Sequence, residues 1–342
     1  MATLKELAER TGYSAATISR ILTGDPTLSV TPETRRKVLE EAGRLDYATT
    51  RSTRGRGQKG ILRIGLAEML TPTQQLEDPY YLYLGERVRH LCAERKFVCL
   101  PLVCKGGEFF APEGEKLDGI VAIGIFTTSQ IESLARISSN TVFVDSSPFE
   151  SQFDSVVPGY ELGISLALEH FDQLGYQRIF FLGPTFKLDD RRQRAPEKRR
   201  QLFVRLMESR GVEVPCFVEC TMEVEPAYLS VESFLRSNIN YPVAFLCANE
   251  EVAIGALKAV AKTDKRVPED IAIVSFNDTP RSALVEPSLT SVSLRVEEMA
   301  STAMRLLAER VERQGKNPIR TVPLKVTVPP TLVVRRSTQS DK

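Results

Sequence analysis

The 342-residue chain has no tryptophan and only two histidines, His90 and His170. Any aromatic platform for a ligand must therefore be phenylalanine or tyrosine, and two imidazoles leave little room for a catalytic triad or a histidine-rich metal centre. Neither a G-x-S-x-G elbow nor a P-loop is present, so acyl-transfer and nucleoside-triphosphate chemistry lack their usual supports. None of the six cysteines (Cys92, Cys99, Cys104, Cys216, Cys220, Cys247) is paired at zinc-finger spacing. Most lie in apolar runs such as FVCLPLVC and AFLCAN, where cysteine serves as a small core hydrophobe. No catalytic residue, metal site or cofactor is expected. No apolar run approaches the ~20 residues a membrane span needs, and the opening MATLKELAER carries no apolar signal core. We expect a cytoplasmic protein with no membrane partner.

What is present is unevenly placed. Apolar residues make up 42% of the chain, enough for two or three compact units. Residues 1–60 hold eleven Lys/Arg against seven Asp/Glu, a net +4, so the remainder carries −3 of the total of +1. A basic head on a faintly acidic body suits a small nucleic-acid-binding module.

Thr3-Leu4-Lys5-Glu6 reads as a capping box opening a first helix with Leu4, Leu7 and Ala8 on one stripe, and Gly12 ends it. Ser14 caps a second helix whose apolar stripe is Ile18, Ile21 and Leu22. Thr31-Pro32-Glu33 starts a third, with Val38, Ala42 and Leu45 as its buried face. Two short helices joined at a glycine turn form a helix-turn-helix. If the second enters a major groove, Ala15, Ala16, Ser19 and Arg20 meet base edges, while Ser14, Thr17, Thr34 and Arg35 suit phosphates. A three-helix packing module without nucleic acid would show the same stripes.

The segment TLKELAERTGYSAATISRILTGDPTLSVTPETRRKVLEEAGRLDY resembles the N-terminal domain of the lactose/galactose repressor (LacI/GalR) family, with Thr17, Ser19, Arg20, Thr34, Arg35, Leu45 and Tyr47 in register. Tyr13 and Thr23 depart from the usual small apolar residue and asparagine. The resemblance implies a DNA-binding domain over 1–47, followed by a basic hinge, 48–60, of sequence ATTRSTRGRGQKG. The family's hinge carries a leucine that wedges into the minor groove. Arg56 stands about there in this chain, beside Gly55 and Gly57, which disfavour a helix. Arg51, Arg54 and Arg56 then either follow phosphates or enter a narrow minor groove, or form a plain basic tether. With Thr3 and Leu4 they complete the expected DNA-contacting set. The G-x-G-x-x-G at Gly55, Gly57 and Gly60 precedes a strand rather than following one, so it is no dinucleotide fingerprint.

From residue 61 short apolar runs (ILRIGL, GIVAIG, TVFVDS, RIFFLG, VAFLCAN, IAIVSF) alternate with helix-length amphipathic segments, and the alternation starts afresh after VVPGYELGISLALEHFDQLGYQRIFFLGP. Alternation of this kind argues for an α/β protein with two parallel, doubly wound sheets. The resemblance makes these the lobes of a periplasmic-binding-protein-like effector and dimerisation domain, 61–336, followed by a tail at 337–342. One lobe would be about 61–158 plus 292–320, the other about 159–291 plus 321–336.

Ligands of such sheets bind beyond the strands' carboxyl ends. Polar residues there are Asp145, Asn249, Asn277 and Asp278, and Asp78, Tyr80 and Tyr81 occupy the first strand–helix loop. The resemblance gives the strand-end residues sugar hydroxyls to bind. It also places Arg199 among the ligand contacts, in competition with Arg191 and Arg194. EDPYY and NDTP resemble a branch that represses a second β-galactosidase, which implies a galactoside. The resulting expectation is a sugar-responsive repressor, not an enzyme, binding double-stranded operator DNA as a homodimer. The rival readings are a cytoplasmic sugar-binding protein and a regulator answering a nucleoside or purine.

Overall fold

Three helices, α1 (Leu4–Thr11), α2 (Ala15–Leu22) and α3 (Pro32–Arg44), bring Leu7, Ile18, Ile21, Val38 and Ala42 into one buried cluster. The i, i+3, i+4 spacing read from the sequence is thus a packed seam. Gly12 makes the turn at φ +76, with its N–H donating to the Ala8 carbonyl at 3.0 Å. Ser14 Oγ accepts from the Thr17 N–H at 3.1 Å, and Thr31 Oγ1 accepts from the Thr34 N–H at 3.2 Å, which satisfies first-turn donors of α2 and α3. The computed structural model describes residues 4–22, 28, 30–44, 61–237, 240–314 and 317–339. Thr3, Leu45 and the whole hinge lie outside them, as does the Leu4 side chain.

The chain divides into two compact units, 1–60 and 61–342. In the larger, one sheet runs in the order Lys325–Val328, Asp154–Pro158, Thr141–Val144, Gly119–Ile123, Arg63–Glu68, Val98–Pro101, with every pairing parallel. The second runs Cys216–Glu219, Ile179–Gly183, Val243–Cys247, Ile271–Asn277, Thr290–Ser293, Thr331–Val333, and only the last strand is antiparallel. The central strands are buried end to end, as parallel strands covered on both faces must be. Both sheets match the α/β reading.

The chain passes between the sheets three times: after Pro158, after Ser293 and after Val328. The third passage was expected near residue 320. Lys325–Val328 instead pairs with Ser155–Pro158 as an edge strand of the first sheet. Its alternating exposure made it a weaker signal than the buried runs. The expected tail at 337–342 likewise begins inside the fold. Ser337 and Thr338 are buried; Ser337 Oγ donates to the Ile273 carbonyl at 2.6 Å and accepts from the Thr290 N–H at 2.8 Å.

Thr338 Oγ1 lies 2.9 Å from His170 Nε2. Burial holds this imidazole below its ordinary 6.5. The unfolded chain therefore takes up its proton first as the pH falls. The stability contributed by neutral His170 is complete above the unfolded value and is lost as pH drops through the lower folded one. Between about pH 7 and pH 5 the wild type should lose melting temperature relative to His170→Gln. Parallel slopes for the two proteins would contradict this.

Candidate functional site

The carboxyl ends of the two sheets' strands face a cavity of about 590 Å³. From the first lobe it is lined by Tyr81, Asp145, Ser147 and Phe149; from the second by Tyr160, Lys187, Arg191, Glu197 and Arg199, among others. Asp145 follows the strand Thr141–Val144 at φ +71. Its Oδ2 accepts from the Tyr81 hydroxyl at 2.8 Å and its Oδ1 from the Tyr160 hydroxyl at 3.4 Å. One half-buried carboxylate thus receives phenols from both lobes. Burial raises the Asp145 carboxyl, while Lys187, Tyr81, Arg199 and Tyr160 pull it down. Burial and then Asp145 push both phenols well above their ordinary value, so they remain donors.

Arg199 opens the helix Lys198–Ser209, which Glu197 caps by accepting from the Arg200 N–H at 2.7 Å. Its Nε donates to Glu197 Oε1 at 2.8 Å, its Nη1 to the Ala248 carbonyl and its Nη2 to Met222 Sδ at 3.6 Å. The guanidinium also lies over the Tyr160 ring, 5.2 Å from its centroid. Burial opposes its charge, yet Glu197 and the surrounding Tyr160 and Asp145 raise its pKa above the ordinary arginine value. Arg191 also lines the cavity, 5.9 Å above the Phe149 ring of the opposite lobe, whereas Arg194 stacks on Phe186 at 4.4 Å and is not part of the lining.

The other expected ligand residues divide. Asp78 is half-buried beside the cavity; burial raises its carboxyl, with Lys187 opposing and Asp145 adding to the rise. Tyr80 points into the core, its hydroxyl on Met299 Sδ at 3.5 Å. Consecutive helical residues diverge by about 100°, so only one of the two tyrosines can face the cavity. Asn249 is engaged as a helix cap: Oδ1 accepts from the Val252 N–H at 3.0 Å and Nδ2 donates to the Met222 carbonyl at 3.2 Å. Asn277 and Asp278 line a second cavity of about 730 Å³, flanked by the helix Pro79–Glu94 and by Ser293 and Thr331 at two of the passages between sheets. Asp278 Oδ1 accepts from Arg335 Nη1 at 2.7 Å.

Sequence reasoning missed Lys187, Tyr160, Phe149 and Glu197. Tyr160 carried a signal, since it immediately follows the first passage between lobes. Lys187 carried none beyond lying in the charged stretch FKLDDRRQR. That stretch is an antiparallel hairpin, Phe186–Leu188 with Arg194–Pro196, whose turn is pinned by Asp189 Oδ1 accepting from the N–H groups of Arg191 and Gln193, each at 2.9 Å.

In the N-terminal unit Ser14, Ala15, Ala16 and Arg20 are exposed, and Thr17, Ser19, Thr34 and Arg35 are half-buried. Tyr13, at the position that departs from the family pattern, places its hydroxyl 3.3 Å from Thr34 Oγ1 and its ring under the Lys37 ammonium. Thr3, Arg51, Arg54 and Arg56 lie outside the described residues. Among the described residues no cluster of His, Cys, Asp and Glu could hold a metal ion, and no helix is long and apolar enough to cross a membrane.

Residues 168–338 match the family described as periplasmic binding protein-like domain. The HTH-type transcriptional repressor MelR of Bacillus subtilis (strain 168) is 31% identical over 345 residues, covering 98% of this chain and 97% of that protein. The HTH-type transcriptional regulator GalR of Streptococcus thermophilus is 30% identical over 93% of this chain and 95% of its own. Among solved structures, the lac repressor dimer bound to operator and the anti-inducer ONPF superposes with a TM-score of 0.66 over 99% of both chains at 20% identity. The CelR–cellobiose complex gives 0.63 over 98% of this chain and 100% of its own, also at 20% identity. At such identities the solved structures speak for the fold alone.

Proposed function

Because this chain belongs to the LacI/GalR family of transcriptional regulators, rather than to a family of enzymes, we propose that it is a sugar-responsive repressor. Two copies form a homodimer and set their α2 helices into the half-sites of a pseudo-palindromic operator, roughly 34 Å or a multiple apart. A small saccharide enters between the lobes and changes DNA affinity. The observation that carries this reading is Asp145, a half-buried carboxylate lining a cavity and held by phenols from both lobes. A hydroxyl-rich ligand can take over those bonds and so alter how the lobes are joined. The cavity offers Tyr81, Tyr160 and Phe149 as apolar faces for a sugar ring. The solved CelR neighbour holds cellobiose, and the EDPYY and NDTP phrases put galactosides first in the panel.

The test is a gel shift with DNA upstream of the chain's own operon, with and without galactosides, glucosides and nucleosides. We expect a shift that one sugar class changes by about 5–150-fold, the range of a coupling of ~1–3 kcal/mol. No retarded band at low salt would refute DNA binding. A response to nucleosides alone would refute the sugar.

A further inference from the structure

Four cations line the cavity, Lys187, Arg191, Lys198 and Arg199, and the two near Asp145, Lys187 and Arg199, are not equivalent. Arg199 carries five donor hydrogens, but its Nε and Nη1 are committed to Glu197 and the Ala248 carbonyl, and Nη2 meets Met222 sulfur. Its guanidinium is closed in between Tyr160 and Phe276, with centroids 5.2 and 5.9 Å away. Lys187 lines the same cavity, and among the described residues neither a hydrogen bond nor an ion pair reaches its ammonium. Asp145, Glu197 and Asp78 surround it at longer range, with Arg199 repelling it. Lys187 is half-buried in the lining, and the pinned hairpin holds its ammonium at the cavity, open to a ligand.

We propose that Lys187 is a cation that reads the ligand, donating to one hydroxyl of a vicinal diol whose neighbouring hydroxyl donates to Asp145 of the opposite lobe. The proposal rests on the saccharide reading above and narrows it. A hydroxyl both accepts and donates, so a neutral diol can satisfy an ammonium and a carboxylate at once. An anionic ligand would meet Asp145, with Asp78 behind it and Asp189 and Asp190 in the lining; a cationic one would meet Lys187, Arg191 and Arg199. Burial lowers the Lys187 ammonium and raises the Asp145 carboxyl, so each gains from a partner that replaces lost water. Because Lys187 belongs to the second lobe and Asp145 to the first, a diol between them joins the lobes directly.

Lys187→Met keeps the unbranched stem of the side chain and removes its ammonium. Calorimetric titrations of the full chain use methyl galactoside, lactose and cellobiose, and then deoxy analogues of whichever binds. Lys187→Met should weaken binding by roughly 10- to 100-fold, the range expected for a hydrogen bond to a charged group. Removing the matching hydroxyl should cost the wild type about as much and cost the variant nothing further. A structural role for Lys187 would not produce that non-additivity. Melting temperature reports whether the variant folds, and the deoxy series on wild type stands apart from that question. Equal binding by Lys187→Met, or a wild type indifferent to loss of either hydroxyl of every diol, overturns this assignment alone. A wild type that binds none of the three sugars overturns the saccharide reading and this assignment with it.

Discussion

Ala16→Asp should cut operator affinity at least about 100-fold while leaving the melting temperature of the protein essentially unchanged. Ala16 is exposed at the second position of α2, with the apolar side of that helix packed through Ile18 and Ile21. A carboxylate in the first helical turn faces the positive end of the helix dipole and is stabilising by about 0.3–1 kcal/mol at an exposed site. The same group carried into a groove meets acceptor edges and flanking phosphates, where it finds few donors and a dense negative field. The two effects have opposite signs, so the substitution separates folding from binding. Fluorescence anisotropy with an operator duplex, beside a thermal melt, reads both. Retained affinity with an intact fold would mean that α2 does not present its N-terminal face to DNA.

Glu197→Ala should lower the stability of the larger unit by about 3–5 kcal/mol, a fall of roughly 5–15 °C in its melting temperature. The side chains of Glu197 and Arg199 are only 2% and 4% exposed. Removing the carboxylate leaves a guanidinium buried against Tyr160 and Phe276 with its nearest counter-charge gone, and it also deletes the cap on the Arg200 N–H. The loss comes chiefly from the stranded charge, so Glu197→Ala combined with Arg199→Met should recover much of it. Arg199 holds the Glu197 carboxyl below its usual value against the pull of burial. The pair's contribution is therefore present above the ordinary glutamate range and fades as pH falls through the lower folded value. Thermal melts of the three proteins at neutral and acidic pH test each step. A shift of less than about 2 °C for Glu197→Ala would show that the guanidinium finds adequate solvation without its partner.

Much of this architecture is local chemistry and could be read directly. The seam of Leu7, Ile18, Ile21 and Val38 follows from helical spacing, and Gly12, Ser14 and Thr31 mark the turns because each meets a local backbone need. The buried strands announced themselves as unbroken apolar runs. The site was legible only in part. Asp145, Tyr81 and Arg199 line the cavity, but Arg199 does so as a neutralised, enclosed cation. Asn249 stood at a strand end, as a ligand residue would, and the start of the next helix consumed it as a cap.

The amino-acid order alone determined the three N-terminal helices and the α/β alternation, since periodicity, capping and composition act within a few residues. Only the tertiary structure decided that Tyr81 and not Tyr80 faces the cavity, that Lys187 comes to stand near Asp145, and that the edge strand at 325–328 belongs to the first sheet. Those outcomes depend on sheet register, helix rotation and the meeting of segments more than forty residues apart, which no local pattern encodes.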